Sequence, residues 1–388
     1  MVGRAGAAAA VTAAALLLAG CGSSHGSGGA ADAAAPAASP PPLSTSFSAS
    51  TGLSWAVVEM GGSSAQQNNF WQLFARSAPA ASWKLVTPVA VADNGGLVVA
   101  TTGPQSLVTG FRPSQDLTFS PITATSDGGA RWSQGAPVDP GLANAPDALA
   151  AAPDGKLIAL TTAGGAQVGT PLGAAWSGLS SIGALGAAPA GKACGLTRLT
   201  AAAFGPGGAP LLAGDCAKPG MAGIFALRGG RWQAAGPSLP PALARSGVGV
   251  LALSTSGKQT TALLQVGSGP EAGTLAAWSA AGGPPWSLSA PLRTGSAGLR
   301  SAALWAGGAA ALVQAGNRGA TIAGPGASWL QLPALPAGTQ TLAAGPAGQL
   351  DALVTAGSKM TDWRLARGST SWKVAQTVQV AIPYGSSG

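Results

Sequence analysis

Few side chains in this 388-residue sequence can carry chemistry, and that scarcity is the first constraint on its function. It holds one histidine, one tyrosine and, among 12 acidic residues, only two glutamates, Glu59 and Glu271. Hydrolysing a glycosidic bond needs two carboxylates facing one cleft. The acids that could gather in a central pocket beside an arginine are Asp93, Asp116, Asp139, Asp351, Asp362, Glu59 and Glu271. They are scattered singly, mostly in turn-like settings where an aspartate ordinarily caps backbone N–H groups. A Ser/His/Asp triad would have to use His25, which sits in a stretch that cannot build a core. Metal ligation lacks both histidines and clustered carboxylates. The spacing shows no phosphate-binding loop and no dinucleotide fingerprint leading into a helix. No catalytic residue, metal or cofactor is assigned.

Cysteine chemistry is more informative. Arg4 forms a short positive region, Ala5 to Leu18 form an apolar run, and Leu18-Ala19-Gly20-Cys21 follows. This resembles the signal and lipobox of bacterial lipoproteins. The resemblance implies that residues 1–21 are a signal segment, that Cys21 is diacylated (palmitate or a similar chain), and that the protein is anchored to the outer face of the cytoplasmic membrane. The apolar run is shorter than the roughly 18–20 residues that span a bilayer. From 22 to 45 the chain is Gly, Ser, Ala and Pro, a composition expected to form a flexible tether.

The remaining cysteines, Cys194 and Cys216, flank the turn Gly205-Pro206-Gly207-Gly208. Strict hairpin pairing would set Cys216 opposite Thr197 or Arg198, a few residues from Cys194. A disulfide in an oxidising compartment therefore requires a bulge or bend. The alternative is two buried thiols.

The elements that must position any site are set by a repeat. Trp83, Trp132, Trp176, Trp232, Trp286, Trp329 and Trp372 occupy related settings, separated by 49, 44, 56, 54, 43 and 43 residues. Between them recur two short apolar runs around a Gly-containing turn, as in Ala148 to Thr162, Leu199 to Gly214 and Val250 to Val266. With 60 Gly and 30 Pro, these runs end after five to eight residues, which favours strands over helices. Each repeat reads as a four-stranded meander with the Trp on its last strand. Such a sheet has two apolar faces, and radial stacking buries both. The expected architecture is an all-β propeller over 46–388, seven-bladed, with six or eight blades possible. A pair of β-sandwiches is the competing fold. The tryptophans are expected between blades.

Residues 125–132, Thr-Ser-Asp-Gly-Gly-Ala-Arg-Trp, resemble the Asp-box of sialidase-type propellers, with Thr125, Asp127, Gly129 and Trp132 at the key positions. Only this copy is complete. The resemblance implies a structural hairpin turn placed away from the catalytic face. The enzymes of that family use a Tyr nucleophile with a Glu partner, and here the single tyrosine, Tyr384, stands four residues from the C-terminus.

The net charge of +8 includes no Lys/Arg run, so no nucleic-acid partner is expected. Together the lipobox, composition and Asp-box resemble actinobacterial lipoproteins with sialidase-like repeat domains. The expected role is non-catalytic binding or assembly at the cell surface, with an unidentified protein or cell-wall glycan as partner. A glycan-active hydrolase or lyase is the alternative.

Overall fold

The computed structural model describes residues 38–39, 45–47 and most of 52–379; positions 62–68, 89–96, 112–121, 134–145, 153, 162, 171–175, 306, 346–347 and 357–358 lie outside the described set, as do the two ends of the chain. Cys21, His25, Tyr384, Asp93, Asp116 and Asp139 are therefore outside it. Glu59 and Asp147 are described only as strand backbone.

The residues form antiparallel meanders in chain order. Thr45–Phe47, Ser54–Gly61, Asn69–Arg76 and Lys84–Leu85 make the first. Leu97–Gly103, Ser106–Phe111 and Ile122–Thr125 follow, then Pro146–Ala151, Leu157–Thr161, Gly165–Gly169 and Ser177–Ser181. A nine-stranded sheet comes next. It contains one meander from Leu196–Phe204 to Arg231–Ala234 and another from Val248–Ser256 to Ser287–Leu288, linked only by the pair Cys216↔Val248. The chain ends with meanders over 299–331 and 339–379.

From the 97–125 meander to the 339–379 meander, the first strand of each lies beside the first strand of the next. Thr339–Ala344 lies beside Thr45–Phe47, so the last sheet returns to the first. The fold is an all-β propeller, and each meander is a blade. One difference from the sequence reading lies at its start. Ala38–Ser39, inside the segment read as tether, pairs with Glu59 and Met60.

Middle strands are buried on both faces, which explains why their sequences are apolar without alternation. Leu263 and Leu264, adjacent in Gln259–Val266, enter different seams: Leu264 packs with Leu211 and Ile224 of the preceding blade, Leu263 with Ala309 and Ile322 of the next. Every repeat tryptophan sits in such a seam. Trp132 joins Val86 and Leu107, Trp176 joins Val108 and Leu157, Trp232 joins Ile158 and Phe225, and Trp372 joins Leu332 and Leu350.

Two short helices, which the strand pattern did not predict, occupy the connection between the 146–181 and 196–234 blades. Helix α1 (Ile182–Ala187) is capped by Ser181, whose side chain accepts from Ala184 N–H, and it buries Leu185. Helix α2 (Pro189–Cys194) starts at a proline and ends on Gly195 in the left-handed region, a conformation that glycine adopts without strain.

Candidate functional site

The strand directions give the ring two ends. At the leading end the first strands begin and the second strands finish; at the trailing end lie the turns between first and second strands.

A cleft of about 630 Å³ opens at the leading end between the 196–234 and 248–288 blades. Its walls include Arg198, Thr200, Asp215, Leu251 and Gln265, with Gly247, Gly249 and Gly267 exposing backbone between them. Arg198 grips Asp215 through Nε at 3.0 Å and Nη2 at 2.7 Å. The Arg198 side chain is 71% exposed, so this pair marks a surface rather than a core feature. Glycine is required where the pair sits: a Cβ on Gly214 would lie 1.9 Å from the Arg198 carbonyl oxygen, and one on Gly249 2.8 Å from Asp215 Oδ1.

The disulfide stands beside this cleft. Cys194, the last residue of α2, is bonded to Cys216 at the end of the second strand, with Cα atoms 5.3 Å apart. Two register breaks, at Thr197 and Thr200, let Cys216 pair with Leu196 rather than with Thr197 or Arg198. They supply the offset that strict pairing lacked, and the bond fastens the helical connection to the sheet.

At the trailing end the Thr125–Trp132 turn is built from its own side chains. Thr125 Oγ1 donates to Asp127 Oδ1 at 2.8 Å and accepts from Gly129 N–H at 3.0 Å, and Asp127 Oδ1 accepts from Arg131 N–H at 2.9 Å. The Arg131 N–H, then the Thr125 hydroxyl, hold the Asp127 carboxyl below its ordinary value. Gly129 has φ +93°, and a Cβ there would strike Val86 at 2.5 Å. Trp132 crosses the seam to donate its indole N–H to Val86 O at 2.8 Å.

That donation recurs around the ring. Trp286 bonds Ala235 O at 2.7 Å, Trp329 bonds Ala290 O at 3.0 Å, and Trp372 bonds Pro333 O at 3.4 Å. Each acceptor lies three or four residues beyond the preceding repeat tryptophan. Trp83 departs from the rule: its indole donates to Asp362 Oδ2 at 3.2 Å, across the seam that closes the ring.

The acids are not all scattered, and this corrects the sequence reading. Asp351 and Asp362, on neighbouring strands, both bind the Arg76 guanidinium, and Arg364 Nε adds a bond to Asp351 Oδ1 at 3.1 Å. Arg76 also lies over the Trp83 ring, 4.6 Å from its centroid. The site is sealed between blades, with the Asp351 and Asp362 side chains 1% and 0% exposed. Burial first, and the Asp351 charge second, push the Asp362 carboxyl up to about 6. Asp351 and Asp362 are among the acids the sequence offered for a gathering beside an arginine, but it named neither Arg76 nor a buried seam, because the acids stand 275 and 286 residues from Arg76. The cleft residues Arg198, Asp215 and Leu251 were missed as well.

Glu271 lies on the surface near Arg293. A second cleft, of about 670 Å³ at the trailing end, is lined by Asp127, Arg131 and Asp154. Asp154 bonds Lys156 Nζ at 2.8 Å and, like Asp127, is held below its ordinary value, here by the Lys156 side chain and then its N–H. Neither acid is placed to keep a proton for a leaving group. Among the described residues no group of three or more His, Cys, Asp or Glu could hold a metal ion, and no helix is long and apolar enough to cross a membrane.

No protein-family model matches the sequence, and no curated protein matches it. Solved structures do resemble it. They include YCF48 bound to a D1 peptide (15% identical, TM-score 0.50, 86% of this chain and 97% of that one). YCF48 from Cyanidioschyzon merolae is 14% identical, with TM-score 0.50 over 83% of this chain and 97% of that one. An ancestral GH74 enzyme is 13% identical, with TM-score 0.50 over 87% of this chain and 46% of that one. At these identities the likeness shows the fold alone, that of a β-propeller.

Proposed function

We propose that this chain is an extracytoplasmic lipoprotein, anchored through Cys21 to the outer face of a bacterial cytoplasmic membrane, whose propeller binds or assembles with a protein or cell-wall glycan and performs no catalysis. A seven-bladed ring fits the strand pairing, because the nine-stranded sheet divides into two meanders at its single linking pair. The Thr125–Trp132 turn has the bonding that an Asp-box implies, which supports a sialidase-like ancestry without its chemistry.

One observation carries the non-catalytic reading. Among the described residues, the two carboxylates that share one cation, Asp351 and Asp362, are bound by Arg76 inside a buried seam rather than in an open cleft. The leading-end cleft offers instead one ion pair, an amide, one hydroxyl and exposed backbone, the groups of a recognition surface. The alternative, a glycan hydrolase, draws on the pairing of Asp127 and Asp154 along one cleft, but both are held ionised by their turns.

The test has two arms. Cys21→Ser should move the protein from the membrane to the soluble fraction of a producing bacterium. Purified protein should retain cell-wall glycan or a surface protein without shortening glycan chains. Continued sedimentation of Cys21→Ser with membranes would refute the anchor, and new reducing ends, lost in an Asp127→Asn/Asp154→Asn variant, would refute the non-catalytic role.

A further inference from the structure

The first strands of five consecutive blades lose register at the same place. Against its second strand, each carries an extra residue at this level, Asp147, Thr200, Leu251, Arg300 or Gln340, and the 196–234 blade carries a further one, Thr197. A bulge re-aims its extra side chain and withdraws that residue's backbone from the ladder. Repeated at one level, the bulges set Thr200, Leu251, Arg300 and Gln340 at the leading end of four consecutive blades.

Two of them reach to the next blade in the same way. Thr200 Oγ1 donates to Val250 O at 2.6 Å, and Arg300 Nη1 donates to Thr339 O at 3.3 Å. In both cases the acceptor is the carbonyl just before the neighbour's bulge residue. Gln340 turns to its own blade, accepting from Thr355 N–H at 2.9 Å. Leu251 has no polar group to give. It stands in the leading-end cleft 39% exposed, one of four large apolar side chains so exposed among the described residues.

We propose that the Leu251 cleft is a recognition site for an extended peptide segment carrying one apolar side chain, which seats on Leu251. The inference rests on the binding role proposed above and names its partner class. Interfaces between polypeptides bury an apolar centre within a polar rim. Gly247 and Gly267, where no atom lies within 3.5 Å of a Cβ position, let a peptide backbone approach the wall closely. Bulge backbone groups and the Gln265 amide can bond peptide N–H and C=O groups, as an added strand would. Among the lining residues no aromatic ring offers a face on which a sugar could stack, which favours peptide over glycan.

A library of displayed random octapeptides, panned on the full chain and read by fluorescence anisotropy, tests this. Enriched sequences should share one large apolar residue among small or polar ones. Leu251→Asp should weaken them at least tenfold, and Gln265→Ala about threefold, with the melting midpoint unchanged. If Leu251→Asp fails to fold, Leu251→Ala replaces it, with a threefold or greater loss expected. Equal binding by folded Leu251 variants would overturn the site and leave the binding role standing. No enriched peptide, with purified cell-wall glycan retained, would overturn the peptide class alone. Retention of neither peptides, glycan nor surface protein would overturn the binding role as well.

Discussion

Two seams of the ring meet the same packing demand by different means. Between the 196–234 and 248–288 blades, Leu211, Ala213 and Ile224 face Val250, Leu264 and Leu275, and the Trp286 indole completes the joint on a backbone carbonyl. Between the last blade and the first, Ala56, Val58 and Phe74 meet Leu353 and Met360, but Arg76, Asp351, Asp362 and Arg364 are added to the apolar contact. Consecutive blades are neighbours in the chain, so apolar contact is enough to settle them. The closing blades are remote in sequence, and only side chains can align them. Buried ion pairs gain little over apolar packing, yet they are satisfied in one arrangement and costly in others. The difference teaches that the repeat supplies the ordinary joint, while closure depends on residues outside it.

The largest expected effect breaks the closing seam. Arg76→Leu leaves Asp351 and Asp362 buried without their shared cation and should cost about 3–5 kcal/mol of stability in urea unfolding. Adding Asp351→Asn and Asp362→Asn should return most of that loss. An Arg76→Leu cost no greater than about 1 kcal/mol, the scale of trimming Ile322 to Val, would erase the distinction between the seams.

Acid titration sharpens it. Asp362 holds its proton up to about 6 when folded, against an ordinary 3.8, so between these values the folded state binds more protons than the unfolded one. Its contribution is therefore fully present below 3.8, falls as pH rises toward 6, and is flat above. The span is about 2–3 kcal/mol. Subtracting the Asp362→Asn profile from that of the native protein should isolate this decline, and a flat or rising difference would contradict it.

The smallest effects compare the two indoles. Trp286→Phe removes a bond to a neutral carbonyl and should cost about 0.5–1.5 kcal/mol. Trp83→Phe removes a bond to a carboxylate and weakens the contact with Arg76, so about 1.5–3 kcal/mol is expected. Equal losses in paired melting experiments would mean that charge adds nothing to closure.

Much of the scaffold was legible because its causes are local or periodic. The tryptophan spacing, the apolar runs and the Gly turns require sheets that hide both faces, and Thr125, Asp127, Gly129 and Trp132 announce a turn bonded by its own residues. The helices over 182–194 escaped notice because each is a single turn or so and is steadied by Leu185 in the core and by the disulfide. The candidate site was not legible. Nothing about Leu251 in an apolar run says that a bulge will turn it outward, and nothing near Arg76 names its acids.

By itself, then, the sequence determined the repeating blade, since strand length, turn chemistry and two-sided burial act within some fifty residues. The tertiary structure alone decided which charges close the ring and which side chains line the leading-end cleft. Those contacts depend on the register between strands and on the placement of blades hundreds of residues apart, and neither is encoded in any single stretch of chain.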